Sequence, residues 1–141
     1  MTAIPSSTLA FAHSGPEKRD VGRALRRGFL GRCPRCGKGH VFRAFLKVRD
    51  RCEVCGEDLH HHRADDAPPY LTILIVAHVM GIAMATVLGT WDDIPTWVNF
   101  TLWPTMVVVL SLVLLPRIKG ALIALQWALR MHGFGGGDET A

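Results

Sequence analysis

The residues best equipped for chemistry are four cysteines, spaced as Cys33-Pro34-Arg35-Cys36 and Cys52-Glu53-Val54-Cys55 with fifteen residues, Gly37 to Arg51, between the pairs. This C-x2-C-x15-C-x2-C pattern predicts a tetrahedral sulfur site for zinc: two turns each offer two thiolates, and the intervening segment folds back as a hairpin. Gly37 and Gly56 follow the pairs, placed to take the positive φ that turns backbone amides toward the sulfurs. Iron in a rubredoxin-like site would use the same four ligands, and zinc is favoured because compact ribbons of this spacing are commonly structural. A lone C-x-x-C would suggest redox chemistry, and the second matching pair argues against it.

Other polar groups concentrate in two places. His60, His61 and His62 with Asp65 and Asp66 offer imidazoles and carboxylates for a secondary metal or pH-sensitive site. They also read as a solvated linker in which Asp66 caps the helix that follows. His78 falls within a long apolar run, where an ionisable group is a functional candidate by default. The quieter expectation is a hydrogen bond from His78 to Thr105 on a neighbouring helix.

The elements that must position these groups are mostly apolar. The chain has 141 residues, 49% of them hydrophobic, and carries a net charge of +4. Tyr70 to Leu88 and Val98 to Leu115 contain no Asp, Glu, Lys or Arg. As helices they would be about 27 to 28 Å long, matching the hydrocarbon thickness of a bilayer. Thirteen of the sixteen basic residues precede the first run and the other three follow the second, whereas the connection carries Asp92 and Asp93. This bias predicts both termini and the cysteines in the cytoplasm, with Trp91 and Trp97 at the far boundary. Residues 1–30 lack the apolar core of a cleavable signal.

The expected fold is thus an α-helical membrane hairpin carrying a small N-terminal β zinc ribbon and a C-terminal interfacial helix. Residues 1–28 form a disordered and then basic segment, in which Val21, Leu25 and Phe29 give a short amphipathic helix resting on lipid. The ribbon occupies 29–60, with Val41, Phe42, Phe45, Leu46 and Val48 as its hairpin and core. A linker follows at 61–69, the first span at 70–89, a loop at 90–97 and the second span at 98–116. An amphipathic interfacial helix fills 117–133, before a mobile tail at 134–141 with acidic residues Asp138 and Glu139. Pro104 should kink the second span. Ala77, Gly81, Ala85 and Gly89 recur every fourth residue, a small-residue stripe for close packing against Val107, Val108 and Leu112 or against a partner's helix.

Arg32-Cys33-Pro34-Arg35-Cys36-Gly37, Cys52-Glu53-Val54-Cys55-Gly56, His62-Arg63-Ala64-Asp65-Asp66-Ala67-Pro68-Pro69-Tyr70, Pro116-Arg117-Ile118-Lys119-Gly120 and Ala124-Leu125-Gln126-Trp127-Ala128 occur in this order. Together they resemble the bacterial membrane proteins grouped as domain of unknown function 983, over about residues 22 to 134. The resemblance implies an inner-membrane protein without an established activity, of a kind often encoded beside cytochrome c oxidase subunits and assembly factors.

Four closed thiolate ligands leave no open coordination position, which argues against an enzyme. The preferred reading is a membrane-anchored adaptor or assembly factor with the bilayer and a membrane-protein complex as partners. A metal-handling protein for zinc or copper is the alternative, and a nucleic-acid-binding ribbon the second alternative. Nucleic acid is disfavoured by the lack of an aromatic stacking platform, and no small-molecule substrate is indicated.

Overall fold

A computed structural model describes residues 18–61, 66–91 and 93–134. The expectations for the N-terminal tail, His62, Asp65 and the acidic C-terminal tail fall outside the described residues. The elements run α1 (Val21–Phe29), β1 (Phe42–Ala44), β2 (Lys47–Val48), α2 (Ala67–Thr90) and α3 (Thr96–Ala128).

Helix α1 starts at Asp20, whose carboxylate accepts from the Arg23 amide at 3.0 Å and satisfies one of the orphan donors of the first turn. Its docking face differs from the expected one. Ala24 and Gly28 are buried, while Phe29 is exposed. The reason is steric: a Cβ on Gly28 would meet the backbone carbonyl of Gly120 and the side chain of Ala124 on α3, and one on Gly120 would meet the carbonyl of Gly28. Small side chains on both helices let the backbones touch. Ala24 then joins Val41, Ile123, Ala124, Trp127 and Phe134 in the main core.

Helices α2 and α3 are both long and apolar enough to cross a membrane. Their packing departs from the stripe. The side of α2 that is buried carries Thr72, Val76 and Met80, whereas Ala77, Gly81, Ala85 and Gly89 are exposed. Among the described residues nothing lies within 4 Å of a Cβ built on Gly81 or Gly89. Polar side chains along the helices turn inward on their own backbone. Thr72, Thr86 and Thr105 each donate to the carbonyl four residues earlier, the usual way such a hydroxyl is satisfied within a helix. His78 does likewise, its Nδ1 lying 2.7 Å from the Leu74 carbonyl. The expected His78 to Thr105 bond between helices is therefore replaced by two bonds within them.

Two further expectations are corrected. Asp66 makes no side-chain cap, because the amides it would receive belong to Pro68 and Pro69, which have no N–H. The segment after Pro116 is no separate helix. Helix α3 continues through Pro104 and Pro116 to Ala128, since each proline deletes a single backbone bond and the last turns are held by the buried Ile118, Ile123, Ala124 and Trp127.

Candidate metal centre

The ribbon is built from two knuckles flanking a two-stranded hairpin. Phe42 pairs with Val48 and Ala44 with Lys47, and Leu46 takes a φ of 58° to make the tight turn. Val41 is fully buried and Phe42 and Val48 half-buried, but Phe45, expected in the ribbon core, is 59% exposed at the hairpin tip. Isolated bridges, Arg32 with His40 and Arg51 with Asp58, close the knuckles. At the turns, the Gly37 amide donates to the Cys33 carbonyl at 2.8 Å and that of Gly56 to Cys52 at 3.0 Å. Both glycines have positive φ, 71° and 69°, a conformation that side chains with a Cβ strongly disfavour.

The knuckles bring the four sulfurs of Cys33, Cys36, Cys52 and Cys55 within 4.8 Å of one another. Cys33 and Cys55 are 3.7 Å apart and Cys36 and Cys52 are 3.8 Å apart. Four sulfurs at the zinc–thiolate distance of about 2.3 Å would form a tetrahedron with edges of about 3.8 Å. A disulfide needs about 2.05 Å. The donor set therefore fits a thiophilic tetrahedral ion, zinc or iron, and the separations match no disulfide.

The electrostatics are uneven around the ring. Burial pushes the Cys33 thiol well above its ordinary range and outweighs the amides of Cys36 and Arg35. Cys55 is also raised, by burial first. At Cys36 burial acts in the same direction but loses to the Gly39 and Lys38 amides, which bring the thiol down to about 6. Those amides lie 3.5 and 3.4 Å from its sulfur. A cation among the four sulfurs would offset the cost of holding Cys33 as a buried thiolate.

Several residues that serve the site escaped the sequence reading. Gly39 is needed because a Cβ there would sit 2.4 Å from the Cys52 sulfur; its place two residues after the knuckle glycine was the available signal. Arg27 of α1 donates to the Pro34 and Arg35 carbonyls at 3.1 and 2.8 Å. Glu57 ties three parts together, accepting from Arg35 at 2.9 Å and from the Trp127 indole of α3 at 2.6 Å. Arg19 lies over the Trp127 ring at 4.3 Å and donates to the Phe134 carbonyl at 3.2 Å. No local pattern announces the partners of Glu57 and Arg19 on the far side of the chain, 70 and 115 residues away.

The sequence model of a family described as Protein of unknown function (DUF983) matches residues 42–127, more than half of the chain. The chain belongs to the DUF983 family. The match is narrower than the resemblance over 22 to 134, beginning after the first knuckle, so in this DUF983 protein Cys33 and Cys36 stand on their geometry alone. Neither a curated protein nor a solved structure matches the chain.

Of the secondary cluster, His60, His61 and Asp66 are among the described residues. His60 and His61 lie ring against ring, tilted by 37° with centroids 3.9 Å apart, and share a neighbourhood with Asp58, their ligand atoms within 4.8 Å. Asp58, unforeseen here, also pairs with Arg51. Asp66 is not in the group. His61 packs edge-on against Phe134, which makes this cluster a joint between the ribbon and the end of α3.

Proposed function

We propose that this protein is a membrane-anchored, non-enzymatic adaptor. A structural zinc ribbon holds a basic face beside the bilayer, and that face receives an acidic surface of a neighbouring membrane complex. The observation that carries the reading is a groove of about 540 Å³ where α1, the ribbon and α3 meet, lined by Lys18, Arg19, Arg23, Arg27, Arg35 and Arg130 against two carboxylates, Asp20 and Glu57. Arg27 is engaged by backbone carbonyls, which orient the guanidinium without cancelling its charge. Four sulfurs that close the coordination shell make the metal a scaffold for this face. A respiratory oxidase or its assembly machinery is the partner that the family resemblance implies.

The test is gentle solubilisation of native membranes and identification of co-purifying proteins. The expected outcome is recovery of a membrane complex that falls at least about tenfold when Lys18→Glu and Arg23→Glu reverse charge in the groove. Recovery unchanged by that pair, or by Cys33→Ser, would sink the reading. The metal-handling alternative has one supporting feature, the half-exposed position of Cys36 and Cys55. A carrier would release its ion to a mild chelator within minutes, whereas a structural site holds it.

A further inference from the structure

A second groove, about 360 Å³, is made by Phe29 and Leu30 from the end of α1, Phe42 and Phe45 from the hairpin, and Leu112, Val113, Pro116 and Arg117 of α3. Its walls are unusual for a surface facing water. Leu30 is 62% exposed, and Phe29, Phe45, Leu112 and Val113 are exposed as well. A contiguous apolar patch of this kind marks a surface that something else covers.

The position of the groove along α3 says what covers it. From Trp97, exposed at the far end of the helix, nineteen residues at 1.5 Å each reach Pro116, about 28 Å away. That distance is close to the full hydrocarbon thickness of a bilayer. Leu112 and Val113 are then the last apolar turn before the headgroups, and Arg117 stands at the boundary. On that turn the hairpin tip and the end of α1 lie alongside, so their apolar side chains continue the lipid-facing surface of α3. The flanking charges agree with this depth. Arg43 and Lys47 sit exposed on either side of the Phe45–Leu46 turn, where long cationic side chains reach headgroup phosphates while an aromatic residue enters the apolar layer. Arg117, one of the residues lining the groove, reaches back one turn to donate to the Val113 carbonyl at 2.9 Å.

We propose that the ribbon is seated in the membrane rather than held above it. In this arrangement Phe45, Phe29 and Leu30 dip into the leaflet on the ribbon's side, and the groove takes an acyl chain of an anionic phospholipid whose phosphate meets Arg117, Arg43 and Lys47. The proposal rests on α2 and α3 crossing the bilayer, and its test separates the two claims.

The full chain, loaded with zinc, is placed in nanodiscs of equal parts phosphatidylcholine and phosphatidylglycerol with the photoreactive residue p-benzoylphenylalanine at position 45 or, separately, at position 82, where Ile82 is exposed on α2. Resistance of the ribbon to protease confirms that each variant is folded. Phospholipid adducts at both positions are expected. Adducts at 82 but not at 45 would overturn the seated ribbon and leave the spanning helices standing. Adducts at 45 alone, or at neither position, would overturn the spanning helices and the proposal with them. Among adducts at 45, phosphatidylglycerol should exceed phosphatidylcholine by at least about fivefold, the factor for one juxtamembrane cation at about 1 kcal/mol. The ratio should return to that of the bilayer in the triple variant Arg43→Gln, Lys47→Gln, Arg117→Gln. Equal adduct yields in the parent chain would overturn the assigned phosphate contact.

Discussion

Among the described residues helix α3 packs against both α1 and α2, and small residues play opposite parts in the two contacts. At its C-terminal end Gly120 and Ala124 receive Gly28 of α1 so closely that no Cβ fits at either glycine. Along its apolar length it meets α2, whose buried side carries Thr72, Val76 and Met80, while Gly81 and Gly89 of α2 face open space among the described residues. A small residue produces close approach only when the opposite backbone supplies a matching gap and something else holds the two helices together. At the α1 contact that hold comes from the ribbon, through Arg27 on the first knuckle and Glu57 on Trp127.

Variants and metal removal can break this contrast. The largest effect is expected from stripping the metal or from Cys52→Ser. A structural zinc site contributes apparent binding energy of about 10 to 16 kcal/mol to folding, so the ribbon and α1 should lose protease protection together while the helicity of α2 and α3 persists in circular dichroism. Next comes Gly28→Leu, which forces four heavy atoms against the Gly120 carbonyl. It should cost more than about 3 kcal/mol of α1 docking, read as hydrogen exchange of α1 amides at the rate of a free peptide. Trp127→Phe keeps an aromatic ring but loses the pyrrole half of the buried indole together with its bond to the Glu57 carboxylate; a loss of at least about 1.5 to 3 kcal/mol is expected from the bond alone, with the cavity adding to it, seen as a lowered melting temperature of the metal-loaded ribbon. Smallest is Gly81→Ala, for which less than about 1 kcal/mol in either direction is expected. A loss as large as that of Gly28→Leu would show the α2 stripe to be a packed surface after all.

What could be read from the sequence was local in the chain. The cysteine spacing and the glycines after each knuckle name a sulfur cluster because each turn holds its own geometry over five residues. The two apolar runs identify their helices by length alone. The docking side of α1 was misread because Val21, Leu25 and Phe29 carry the hydrophobic signal, whereas the contact is decided by the smallness of Ala24 and Gly28, a property set by what lies opposite. Pro116 reads as a helix boundary in isolation, yet the lost bond is outweighed by burial of Ile123, Ala124 and Trp127, which no window around the proline contains. Similarly, the sequence points His78 toward Thr105 on another helix, whereas its Nδ1 meets the carbonyl of Leu74 one turn away.

The bonds from Arg19 to the Phe134 carbonyl and from the Trp127 indole to the Glu57 carboxylate span 115 and 70 residues. Synthesis proceeds from the N-terminus, so α1 and both knuckles leave the ribosome long before the segment that receives them exists. The ribbon can load its metal early, but its seat at Gly120 to Phe134 is completed only once both long helices have been made. Final closure of the domain thus waits on residues 120–134, and a product cut short of them would display α1 and its arginines undocked, open to the proteases that clear unfinished proteins.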